Sequence, residues 1–134
     1  MRYPIVIEPG TDTTAFGVVV PDLPGCFSAG DTLDEALTAA EEAASAWIDA
    51  ALDAGEAVPP PSSLDALRHD PAYSGWTFGV ITVDPALLDD TIERVNITLP
   101  RRVLRRLDAL ARAAGETRSG YIAHRTLEAG PPSR

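Results

Sequence analysis

The chain has 134 residues, 45% of them hydrophobic, enough for one modest domain or two small ones. No stretch approaches the ~18 apolar residues of a membrane span, and the start Met1-Arg2-Tyr3-Pro4-Ile5 has no apolar run of a secretion signal. The single cysteine, Cys26, excludes an internal disulfide, and the expected location is the cytoplasm.

The net charge of −9 is divided unevenly. All 11 basic residues are arginine; residues 1–93 hold two of them against seventeen acids, net −15, and residues 94–134 hold nine against three, net +6. Such a division suggests two modules with different partners. A basic end suits nucleic acid. An acidic body repels nucleic acid and attracts a basic protein, although acidic surfaces also serve solubility alone.

In chain order, residues 2–8 alternate Tyr3, Ile5 and Ile7 on one face and read as a strand. Pro9-Gly10-Thr11-Asp12 is a turn. Residues 16–20 form a second strand, Pro21-Asp22-Leu23-Pro24-Gly25 breaks it, and 26–29 pair as a short third. Leu33, Leu37, Ala40, Ala44, Trp47 and Ala51 then recur at helical spacing. Thr32 and Glu35 make a capping-box pattern and Gly55 suits a helix end, so a helix is expected over 32–54. Residues 56–75, with Pro59-Pro60-Pro61-Ser62-Ser63, read as loop with a helical turn at 64–68, and 76–83 as a fourth strand. The order β-β-β-α-β implies a small sheet with one helix on a face. Residues 84–93 begin Asp-Pro, are polar and read as a linker that can hold a helical turn.

The last segment alternates strictly. Val95, Ile97 and Leu99 face one way; Arg94, Asn96 and Thr98 face the other. Pro100 opens a helix with the apolar stripe Leu104, Leu107, Leu110, Ala111 and Ala114, which Gly115 ends. Thr117 then caps a second helix running to about residue 129. One six-residue strand and two short helices cannot bury their own apolar face, and both strand edges stay unpaired. A second copy is the physical remedy: two strands pair antiparallel and present Arg94, Asn96 and Thr98 twice, a ribbon that fits the major groove. Arginine suits guanine, asparagine adenine, and the threonine methyl thymine. Thr117, Arg118 and Ser119 place helix N-terminal amides against a phosphate. A plain dimerisation module with a solvated basic surface is the bland alternative.

This segment resembles the ribbon-helix-helix repressors over about forty residues, on Arg94-Val95-Asn96-Ile97-Thr98-Leu99-Pro100, Leu107-Asp108 and Gly115-Glu116-Thr117-Arg118-Ser119. Gly120 departs from that pattern, as a poor helix former near a helix start. The front segment, from Val19-Val20-Pro21-Asp22-Leu23-Pro24-Gly25-Cys26-Phe27-Ser28-Ala29-Gly30-Asp31-Thr32 through Glu35-Ala36 to Gly55 and Pro59-Pro60-Pro61-Ser62, resembles the HicB antitoxins over roughly residues 3–83.

The resemblance implies an α+β chain: a truncated RNase H-like sheet (1–83), a linker (84–93), a dimerising ribbon-helix-helix (94–130) and a tail (131–134). The implied partners are a small basic HicA-type ribonuclease toxin, operator DNA and a second copy of the chain, with a tetramer left open and no membrane. Asp22, Leu23, Phe27 and Asp31 are the expected toxin contacts. The residues alone also fit duller roles, with Pro24-Gly25 shaping a turn, Phe27 in the core and Asp31, by preference, capping the helix. Cys26 reads as a small buried hydrophobe.

No enzyme activity and no cofactor are expected. RNase H chemistry needs carboxylates converging on divalent metals, and Pro4-Ile5-Val6-Ile7 offers no acid, while Asp22 lies on a turn and Glu35 fits a capping box. The rival reading is a repressor whose front domain senses a small ligand. Against it, His69, His124 and Cys26 are too scattered for a metal site, and no glycine-rich phosphate cradle appears.

Overall fold

Four strands form in the first part of the chain: β1 (Arg2–Glu8), β2 (Phe16–Val19), β3 (Phe27–Gly30) and β4 (Thr77–Thr82). They pair antiparallel in the order β3-β2-β1-β4. β1 therefore has a neighbour on each side, which is why its interior tolerates a continuous apolar run, buried from Tyr3 to Ile7. The register sets Ile7 beside Val18 and Tyr3 beside Ile81, so these side chains share one face.

Helix α1 (Leu33–Asp53) packs on that face. Its buried residues are Ala36, Ala40, Ala44, Ile48 and Ala51, a stripe of mostly small side chains at helical spacing. The core joins this stripe to Tyr3, Ile5, Ile7, Val18, Val20, Ile81 and Val83, with Leu23 and Cys26 from the β2–β3 loop.

The start of α1 corrects one expectation. Thr32 is the N-cap, its hydroxyl accepting from the Glu35 amide at 3.1 Å. Glu35 reaches back to the amide of Asp31, 3.1 Å away. The box thus closes with Asp31 as a backbone donor; its carboxylate is exposed and is not the cap. Gly30 is the tightest point: a Cβ there would lie 2.5 Å from the Ala36 nitrogen and 2.8 Å from Glu35 Cβ. Strand and helix meet too closely for any side chain.

The connection from α1 to β4 is pinned rather than loose. The Tyr3 hydroxyl donates to the Pro59 carbonyl at 2.7 Å, and Ser62 donates twice to Asp22, at 2.8 Å and 2.6 Å. Helix α2 (Leu64–Arg68) forms where a helical turn was expected, and a 3₁₀ turn at Pro71–Tyr73 follows. Residues 85–88, expected as linker, form another 3₁₀ turn whose Leu87 packs against the core.

The structure is a computed structural model and describes residues 1–132; residues 133 and 134 of the expected tail lie outside the described residues. The chain divides into two units, Met1–Asp90 and Thr91–Arg134. The second unit holds helices α3 (Arg101–Ala113) and α4 (Arg118–Ala129), joined by a turn in which Gly115 takes φ +70°. Residues 94–99, expected as a strand, pair with no strand of the chain among the described residues. A ladder needs two rungs, and a single chain contributes one. No helix among the described residues is long and apolar enough to cross a membrane.

Candidate functional site

Two surfaces carry unused chemistry. The first lies on the sheet face opposite α1. The register aligns Phe27, Val19, Val6 and Phe78 in one row across all four strands. Val80, beside Pro4, lies on the same face. Val6 is buried, yet Phe27 is 72% exposed and Val80 52%. An exposed aromatic on a sheet edge makes this row a candidate docking surface.

The expected toxin-facing residues separate on this geometry. Phe27 is the exposed edge of the row rather than a core residue. Leu23 is 0% exposed and belongs to the core, so it cannot touch a docked partner; its burial closes the β2–β3 loop, where Leu23 N–H donates to Val20 O and Cys26 N–H to Leu23 O. Asp22 is half-buried and both its oxygens hold Ser62, which makes it a clasp. Asp31 is exposed. Cys26 is buried, and burial pushes its thiol up, away from the reactive thiolate. Tyr3 is raised too, by burial first and by the nearby Asp22 carboxylate second. Val19, Phe78 and Val80 were not singled out from the sequence, though the alternation of Phe78 and Val80 along their strand was the available signal.

The second surface is on the arginine-rich unit. Arg94, Asn96 and Thr98 are all exposed. Between them Val95 is 76% and Ile97 64% exposed, and Val103, Leu110, Ile122 and Leu127 of the helix pair are exposed as well. The uncovered apolar surface thus lies on the 94–99 segment and on both helices.

The start of α4 is held firmly. The Thr117 hydroxyl accepts from the Gly120 amide at 3.1 Å, leaving the amides of Arg118 and Ser119 in the first turn as donors. The Arg118 side chain is held within the chain: its Nε and Nη2 donate to the two Asp108 oxygens at 2.9 Å and 3.0 Å. This bidentate pair ties α4 to α3, so the guanidinium is engaged within the chain and not extended towards a phosphate. It also holds the Asp108 carboxyl below the usual range, with a smaller push from Arg112. His124 Nδ1 contacts Glu116 Oε1, a second link between α4 and the turn before it.

A family model described as the HicB-like antitoxin of bacterial toxin–antitoxin systems matches residues 3–126. A relative from Haemophilus phage HP1, an uncharacterised 14.9 kDa protein of the rep–hol intergenic region, is 42% identical over 108 residues, 81% of this chain and 80% of its own. The crystal structure of the Burkholderia pseudomallei antitoxin HicB is similar over 98% of this chain and 99% of its own, at 36% identity and a TM-score of 0.61. A chain of the HicA3 and HicB3 toxin–antitoxin complex is similar over 63% of this chain and 100% of its own, at 34% identity and a TM-score of 0.54.

Proposed function

The chain belongs to the family of HicB-like antitoxins of bacterial toxin–antitoxin systems, and from that membership we propose that it neutralises a HicA-type ribonuclease toxin and represses its own operon. The observation that carries this reading is that the family match runs over residues 3–126 and so spans both units.

In this reading the sheet unit, a truncated RNase H-like fold, covers the toxin's active site. The toxin binds RNA and is basic; a body with seventeen acids against two arginines over residues 1–93 attracts it. Phe27, with Val19 beside it on the neighbouring strand, is the apolar anchor, and the exposed Asp31 sits four residues along. Asp22 acts indirectly by fixing the neighbouring loop to Ser62. The likeness to a chain of the HicA3 and HicB3 complex supports this partner.

The second unit is a ribbon-helix-helix. Two copies pair residues 94–99 and cover Val95 and Ile97, and the opposite face offers Arg94, Asn96 and Thr98 to base edges. The α4 amides at Thr117, Arg118 and Ser119 face a phosphate, while the Arg118 side chain keeps α4 in place. Co-expression with the product of the adjacent small reading frame, tagging that product alone, tests the reading. A stable complex whose ribonuclease activity appears only once this chain is removed supports it. Absence of any complex, together with specific binding to the chain's own promoter, removes the antitoxin role and leaves a repressor.

A further inference from the structure

The second unit carries more positive charge than the ribbon uses. Of its arginines, Arg118 is engaged by Asp108 and Arg125 by Glu128. Arg101, Arg102, Arg105 and Arg106 are exposed, and no ion pair involves them among the described residues. At 3.6 residues per turn they fall within an arc of roughly 140°, opposite the stripe of Leu104, Leu107 and Ala111.

This arrangement works against the isolated helix. Arg101–Arg105 and Arg102–Arg106 are like-charge pairs one turn apart, and each destabilises the helix. The first turn of α3 has no acid, so two cations sit where the helix dipole disfavours them. Salt screens exposed charges of this kind in part, and an anionic partner would relieve them further.

We propose that the arginine face of α3 is a second, sequence-independent contact with the phosphates of duplex DNA. The inference rests on the ribbon reading above and extends it. Both ends of α3 are then tied to the duplex. Its first residue follows the ribbon across Pro100 alone, and its last leads through a short turn to Thr117 at the phosphate-facing start of α4. A 13-residue helix held at both ends runs along the duplex surface for about 20 Å. Over that length the duplex offers a phosphate charge about every 1.7 Å of axis. The arginines are long enough to reach the strand flanking the groove, where they add affinity and no base readout.

The test uses the full chain and two duplexes: the DNA immediately upstream of its own gene, and a scrambled duplex of equal length and composition. Dissociation constants are measured from about 50 to 200 mM salt for the natural chain, Arg105→Gln/Arg106→Gln and Arg105→Lys/Arg106→Lys. The glutamine variant relieves repulsion, so its melting temperature should not fall. The expected result is an equal fold-loss of affinity for both duplexes, with a salt slope shallower by about 3.6, since each protomer of a dimer neutralises two phosphates fewer; the lysine variant keeps the slope. A glutamine variant with the natural slope on both duplexes overturns the inference and leaves the ribbon reading standing. So does a loss confined to the upstream duplex, which assigns these arginines to base reading. A natural chain that binds neither duplex overturns the ribbon reading itself, and this inference with it.

Discussion

A loop residue and the first residue of the strand that follows it have opposite fates. Leu23 and Phe27 lie four apart, one fully buried and one 72% exposed. Leu23→Ala should cost about 2–5 kcal/mol of stability through the cavity it leaves, read as a lowered denaturant midpoint. Phe27→Ala should leave that midpoint nearly unchanged and weaken toxin binding by about 2 kcal/mol, roughly thirtyfold, if it anchors the docked partner; unchanged affinity by calorimetry would remove Phe27 from the interface. A charge pair makes the other residue-scale prediction. Arg118 depresses the Asp108 carboxyl in the folded chain, so the pair's contribution is present above the ordinary carboxylate range and is lost as pH falls through the lowered value. Thermal melts of the second unit's helices should therefore fall on acidification, and Asp108→Asn should melt earlier at neutral pH with less acid dependence. Equal acid sensitivity in the variant would assign the effect to other carboxylates.

At the scale of elements, the β3–α1 junction and the 94–99 segment are the sensitive points. Gly30 is required by the close approach of the Ala36 backbone, and Gly30→Ala should cost about 1–3 kcal/mol by overpacking. A stability equal to that of the natural chain would mean the junction can open without penalty. A milder crowding exists at Gly120, where a Cβ would press on the Thr117 capping hydroxyl at 3.1 Å; a poor helix former there leaves the cap room. The 94–99 segment has nothing to pair with in its own chain among the described residues. Ile97→Asp should place charges across the paired strands and shift the chain from dimer to monomer, as light scattering reports. A persistent dimer would move the interface elsewhere. Strict alternation leads to the expectation of a strand here, and the chain by itself forms none over 94–99.

For the whole molecule, two units of opposite charge predict separable functions. Asn96→Ala should lose operator affinity by about 1–3 kcal/mol and still neutralise toxin in a growth-rescue assay. Loss of both activities together would contradict the division at residues 90–91 as a functional one. The charge division itself was fully legible, since counting arginines and acids needs no fold. The pinning of Pro59 and Ser62 by Tyr3 and Asp22 was not: these bonds join residues 56 and 40 apart in sequence, and no local pattern marks such partners.

The sequence by itself determined the elements, because apolar period, capping residues and turn residues act over a few positions. It determined the α+β order of four strands and a long helix, the caps at Thr32 and Thr117, and the charge opposition of the two ends. Only tertiary structure decided which loop residues face inward, that Asp22 and Arg118 are held by internal partners, and that Val19, Phe78 and Val80 share the sheet face of Phe27. The physical reason is that burial and pairing depend on what the rest of the chain brings alongside, and a side chain's chemistry does not disclose its neighbour.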